Sequence, residues 1–276
     1  MARFTINGCD VFVEQWNPSA TNTLVLLHGF TGSTKTWHKV IAKLPTDIRY
    51  VAVDLMGHGQ SVAPQEVEKY SMAFQIELLD QLFNELQLHT FKLLGYSMGG
   101  RVALSYAVRY PKRVQQLLLE SASPGLANEK ERAARKLADD ALAEKIMHNG
   151  VISFVDKWEN IPLFATQKKL AQDVQREIRE ERLFQREIGL ANSLRGMGTG
   201  VMPALWEQLA TLEIPVTLIT GMLDEKFVNL NNRMGEQFTK VDHITIPAVG
   251  HAIHVENPTK FATIVKETIS KVSFNN

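Results

Sequence analysis

The chain has 276 residues, 45% hydrophobic and 22% charged, a balance that suits a globular fold with a sizeable core. Zero formal charge, with no basic block, argues against nucleic acid and anionic membrane surfaces as partners. A single cysteine, Cys9, excludes an internal disulfide framework, and no apolar run approaches the roughly 20 residues that span a bilayer.

The N-terminal residues show no basic stretch leading into an apolar core, so the expected setting is cytoplasmic, without membrane insertion. Loose alternation of Phe4, Ile6, Val11 and Val13 around Asn7-Gly8 predicts a hairpin over about 3–17. Thr23 to His28 is a continuous apolar run, which suits a strand buried on both faces. It breaks at His28-Gly29-Phe30-Thr31-Gly32-Ser33, and a helix follows over about 36–44, stopped by Pro45. Tyr50 to Asp54 is another short buried strand, ending in a loop that holds Gly57, His58 and Gly59. Ser71 caps a helix to about Leu88, with Phe74, Leu78, Leu82 and Leu86 on one face.

The run Phe91, Leu93, Leu94 ends in Gly95-Tyr96-Ser97-Met98-Gly99, and a helical pattern starts at once and runs to about Tyr110. A strand, a forced turn and a helix, with a serine at the turn, is the setting of the G-x-S-x-G nucleophile elbow. Side chains at 95 and 99 would collide with the neighbouring backbone in so sharp a turn. Val114 to Ser121 is the next strand. Alternation of strand and helix predicts a parallel sheet with helices on both faces, and function at the carboxyl ends of its strands.

The pattern changes at Ser123-Pro124-Gly125. A helical face is expected at Ala134, Leu137, Ala138, Ala141, Leu142 and Ile146, ending at Asn149-Gly150, with a short helix over about 152–158. Thr166 is expected to cap a further helix with Leu170, Val174 and Ile178 on one face. Gly189 and the glycines at 196, 198 and 200 are expected to mark the return to the body. The division is thus a core of 1–124 and 208–276 with a helical lid inserted over 125–207. Pro215 to Gly221 and His243 to Pro247 are the last strands, followed by Asp224 and His251 respectively. A final helix over about 258–272 turns Phe261, Ile264, Val265 and Ile269 inward.

A serine hydroxyl is a weak nucleophile or base at neutral pH. It needs an imidazole to take its proton, and the imidazole needs a carboxylate to fix its tautomer. Ser97, Asp224 and His251 supply that set in the order Ser, Asp, His, all on strand-end loops. Glu120 is the rival acid. His28 and His58 suit backbone-turn roles, His254 packing or surface, and Asp54 a structural role in the 54–61 loop. The oxyanion hole is expected from the N–H groups of Met98 and Phe30. No metal-ligand spacing such as H-E-x-x-H occurs.

His28-Gly29-Phe30-Thr31-Gly32-Ser33, Asp54-Leu55-x-Gly57-His58-Gly59, Gly95 to Arg101 and Gly250-His251 resemble the α/β-hydrolase superfamily. Three further stretches, Glu120 to Leu126, Trp158 to Phe164 and Gly189 to Gly200, carry a narrower likeness. Together with Tyr96 and Arg101, they resemble the bacterial 2-succinyl-6-hydroxy-2,4-cyclohexadiene-1-carboxylate (SHCHC) synthases of menaquinone biosynthesis.

The resemblance implies the α/β-hydrolase fold, with a mostly parallel eight-stranded sheet and an inserted helical lid. It implies a lyase that eliminates pyruvate from 2-succinyl-5-enolpyruvyl-6-hydroxy-3-cyclohexene-1-carboxylate (SEPHCHC), without a cofactor. Such a small tri-anionic substrate needs cations in an otherwise apolar pocket. By family position these are Arg101, Arg132 and Arg182, with Tyr96 and Trp158 completing the pocket; Arg179 or Arg186 are alternatives to Arg182. Two rivals stand beside this reading. One is a serine hydrolase, an esterase or carbon–carbon bond hydrolase, with an acyl-enzyme. The other is a non-catalytic ligand-binding protein of the same fold.

Overall fold

The computed structural model describes residues 1–272. Its strands are β1 (Ala2–Ile6), β2 (Cys9–Trp16), β3 (Thr23–Leu27), β4 (Arg49–Val53), β5 (Phe91–Tyr96), β6 (Val114–Glu120), β7 (Val216–Gly221) and β8 (Val241–Ile246). They form one eight-stranded sheet in the order β1-β2-β4-β3-β5-β6-β7-β8. β1 and β2 are antiparallel, as are β2 and β4, and every later pair is parallel.

Successive side chains of a strand point to opposite faces, and β3 shows the result. Leu24 and Leu26 join one core cluster, while Val25 and Leu27 join the other. The first cluster is covered by α1 (His38–Ile41), α8 (Ile253–Glu256) and α9 (Pro258–Lys271), through Val40, Ile253, Phe261 and Val265. The second is covered by α2 (Met72–Glu85), α3 (Met98–Arg109) and α7 (Glu225–Gly235), through Leu78, Val102 and Met234. Both faces of the sheet are therefore dry, which is why its central strands read as unbroken apolar runs.

Between β6 and β7 lies a helical insert of α4 (Glu129–Trp158), α5 (Gln172–Leu183) and α6 (Glu187–Met197). Asn128 caps α4, accepting from the N–H groups of Lys130 and Glu131, and Gly150 breaks that helix at φ +79°. The insert has its own small core of Ala143, Ile146, Phe154, Val155, Leu190, Ala191 and Leu194. No helix among the described residues is long and apolar enough to cross a membrane.

The insert departs from expectation in two places. Leu137 is 70% exposed, and the inward residues of α4 are Asp139, Ala143 and Ile146. Where α4 borders the cavity it presents Arg135 and Asp139 beside Ala138 and Leu142, so counting apolar residues misplaces its inner face. Thr166 does not cap α5. Its hydroxyl donates to Glu256 at 2.9 Å, and α5 begins after Ala171. The stretch around Gly189 and Gly196, where the insert returns to the body, is the helix α6. A Cβ at Gly189 would sit 1.9 Å from the Gly57 oxygen, and one at Gly196 would sit 2.7 Å from Tyr70. These glycines serve close helix-to-core contact.

Candidate active site

The turn after β5 is as tight as its glycines require. A Cβ on Gly95 would lie 2.4 Å from the Gly99 oxygen, and one on Gly99 would lie 2.3 Å from the Leu27 oxygen. Ser97 is held at φ +49° and ψ −105°, outside the regions that L-residues favour. Its N–H donates to the Glu120 carbonyl at 2.8 Å, which pins the turn to β6.

Ser97 meets two residues from far along the chain. The His251 Nε2 lies 3.0 Å from the Ser97 Oγ, and His251 Nδ1 lies 2.6 Å from the Asp224 Oδ2. In the neutral resting state the serine hydroxyl donates to Nε2 and Nδ1–H donates to the carboxylate, the tautomer needed to accept a proton from Ser97. Asp224 follows β7 and caps α7, accepting from Phe227 N–H at 3.4 Å. The imidazole is 1% exposed. The ring of Phe227 packs against it at 4.6 Å between centroids, and that of Tyr96 at 5.4 Å.

The rival acid Glu120 is engaged elsewhere. Both its oxygens lie 2.9 Å from the His254 Nδ1, whose other nitrogen meets the Thr36 hydroxyl at 2.9 Å. Asp54 accepts from the N–H groups of Thr34 and Gln60 at 2.6 and 2.7 Å, holding its loop. His28 Nε2 accepts from Leu55 N–H at 3.0 Å, so its proton lies on Nδ1, which donates to the Gly29 carbonyl at 2.8 Å. Burial lowers the pKa of His28, and it pushes that of the adjoining His58 down to about 3.

A cavity of about 680 Å³ opens in front of Ser97. Phe30, Tyr96, Met98, Arg101 and Trp158 line it together with Ser97, Asp224 and His251. The Met98 N–H stands in the first turn of α3, where amides have no intrahelical acceptor. Trp158 stacks on Phe154 and meets the Phe30 ring edge-on. Its indole Nε1 has no hydrogen-bond partner among the described residues. Burial raises the Tyr96 pKa well above the usual phenol value, so that hydroxyl stays protonated.

Two arginines from the insert are not placed alike. Arg132 does not line this cavity; its carbonyl packs close to Gly200. Arg135, one turn further along α4, lines the cavity instead and donates through Nε to Asp139 at 2.8 Å. Sequence reasoning passed over Arg135, and the only signal for it was its i+3 spacing from Arg132. Arg182 borders a smaller neighbouring chamber behind Tyr96. Its guanidinium lies over the Phe164 ring at 4.6 Å and donates to Gln167 at 2.9 Å. Its alternatives are committed elsewhere, Arg179 to Asp156 and Glu159, and Arg186 to the Ser61 carbonyl. Arg101 is half-buried beside Met197, donating to its carbonyl at 3.2 Å, and desolvation brings its pKa to about 10. It stays cationic at neutral pH.

A serine on a strained strand-to-helix turn, served by a histidine and an acid from later strand ends, defines a class. The chain belongs to the α/β-hydrolase fold family, whose model matches residues 22–258. More narrowly, it is 43% identical to a Bacillus subtilis (strain 168) protein provisionally named 2-succinyl-6-hydroxy-2,4-cyclohexadiene-1-carboxylate synthase. That match covers 96% of this chain and 97% of that protein. The synthase of that name from Serratia proteamaculans (strain 568) is 29% identical, over 87% of this chain and 89% of its own. The solved structure of MenH from S. aureus superposes with a TM-score of 0.90 at 35% identity, covering 95% of this chain and 98% of that one.

Proposed function

We propose that this chain is an SHCHC synthase, a lyase of menaquinone biosynthesis that releases pyruvate from SEPHCHC on a hydrolase scaffold. The observation that carries the reading is the cavity itself. An aligned Ser97–His251–Asp224 set opens onto a space where Arg101 and Arg135 stand beside apolar walls. A neutral ester has no use for paired guanidinium groups, whereas a tri-carboxylate does. The relatives bearing the synthase name match nearly the full length, helical insert included.

In this mechanism Ser97, relayed by His251, removes the ring proton next to the succinyl carbonyl. The electron pair forms the bond between ring carbons 2 and 3. The existing double bond shifts to carbons 4 and 5, and the carbon–oxygen bond at carbon 5 breaks. Enolpyruvate leaves and becomes pyruvate. Charge gathering on the succinyl oxygen is met by the N–H groups of Met98 and Phe30. His251, held by Asp224, carries the proton away. Tyr96 and Trp158 pack the ring, and Arg101 and Arg135 receive carboxylates, while Arg182, outside the cavity, braces Phe164 from behind. Arg132 has no contact role in this scheme. The insert over 125–207 acts as the lid that closes the cavity, and the role suits a cytoplasmic enzyme with a small-molecule substrate.

With SEPHCHC supplied, the protein releases pyruvate, and Ser97→Ala lowers turnover by on the order of 10²–10⁴-fold. Absence of pyruvate together with rapid cleavage of simple aryl esters would establish the hydrolase reading instead. Absence of both activities, with tight binding of the substrate, would establish a binding protein.

A further inference from the structure

We infer that Gln185, carried by the insert, is a positioning residue that sets the direction of the Phe30 N–H. The inference deepens the functional reading above and rests on it for its kinetic test.

Gln185 lies between α5 and α6 and is 4% exposed. Its Nε2 donates to the Gly32 carbonyl at 3.1 Å and to the Thr31 carbonyl at 3.3 Å. Its Oε1 accepts from the Gly59 N–H at 3.0 Å. One side chain of the insert therefore ties the loop after β3 to the loop after β4. Glu181, one turn earlier on α5, adds a second tie by accepting from the Ser33 hydroxyl at 2.6 Å.

The loop it holds is strained. Thr31 has φ +67°, a conformation that a β-branched residue adopts only when its surroundings impose it. Thr31 sits inside a turn closed by Gly32 N–H donating to the Gly29 carbonyl at 3.0 Å. His28 Nδ1 donates to the same oxygen at 2.8 Å. The Gly29 C=O and the Phe30 N–H belong to one planar trans peptide, so fixing the carbonyl aims the N–H the opposite way. Gln185 holds the outer carbonyls of this turn, and with them the strained Thr31. Without its two donors the Thr31 carbonyl loses a buried partner and the turn relaxes toward ordinary dihedrals. The Phe30 N–H then swings off the place where the oxyanion forms. The seating of the insert is in this way linked to charge stabilisation, although no atom of Gln185 touches the substrate.

The test uses Gln185→Met, which keeps the length and removes both functions. It adds Gln185→Glu, which keeps the acceptor for Gly59 and loses the donors. Both variants are expected to lower kcat for pyruvate release about tenfold, with KM within about twofold of the parent. Amide hydrogen exchange of residues 29–33 is expected to quicken about tenfold in both. Parent-like kcat in either folded variant, or a raised KM at unchanged kcat, overturns the proposal. If the parent releases no pyruvate, the functional reading fails while the exchange measurement still decides this one. Unchanged protection of 29–33 then overturns it.

Discussion

The Arg101 guanidinium is half-buried in the cavity wall, and desolvation already lowers its pKa. A charge kept in such a place is well matched to an incoming carboxylate, because both are desolvated together. Arg101→Ala is therefore expected to reduce kcat/KM for SEPHCHC by about 10²–10⁴-fold, from the 3–5 kcal/mol typical of breaking such a pair. Steady-state kinetics on SEPHCHC and on a neutral ester check this: equal losses on both would show Arg101 to be structural. At this scale legibility was uneven. Ser97, Asp224 and His251 stood out because each follows a strand and the three come in the order Ser, Asp, His. Arg101 followed from the elbow, which fixes the phase of α3. Arg135 did not, because the phase of α4 against the body depends on contacts such as Gly200 with Arg132 and Lys136 that no local pattern records. Gln185 carried no signal at all, since all its partners outside the insert are backbone atoms more than a hundred residues away.

At the level of elements, the glycines divide into two kinds. Gly95 and Gly99 permit the elbow, and their spacing reveals it. Gly189 permits α6 to lie against the loop after β4, and nothing nearby reveals that. Its Cβ position falls inside the Gly57 carbonyl, so α6 must lift from the body to accept a methyl group. Gly189→Ala is expected to cost about 1–3 kcal/mol, read as a lower urea midpoint, and to reduce pyruvate release. An unchanged midpoint would mean that α6 shifts freely, contrary to the packing seen here. The sheet was legible almost strand by strand because burial on both faces writes unbroken apolar runs. The insert was not, because its inner wall includes the charged Arg135 and Asp139 where it borders the cavity, and apolar residues such as Leu137 face outward.

For the molecule as a whole, the sharpest consequence of burial is acid lability. His28 and His58 are both fully buried with lowered pKa values, His58 to about 3. The unfolded chain binds protons at these rings near pH 6.5, while the folded chain leaves them neutral. The His58 contribution is thus complete above about pH 6.5 and is lost as pH falls toward 3, by up to about 1.4 kcal/mol per pH unit, and His28 acts in the same direction. Burial raises the pKa of Glu181 and Asp139, and these carboxyls oppose the trend. Comparing His58→Gln with the parent isolates the imidazole. Urea unfolding at pH 7 and pH 5 is expected to show a smaller drop for the variant, and equal drops would assign the lability elsewhere. The sheet order carries one more consequence, in the time domain. β5 is central, and the elbow it carries pairs with a histidine 154 residues later in the chain. On a ribosome the serine, its strained turn and the strands that hold it emerge long before β7 and β8. On the mechanism proposed above, the nascent chain then lacks the base that serves its serine. Pyruvate release waits for the final strands to dock, so an incomplete chain stays chemically silent.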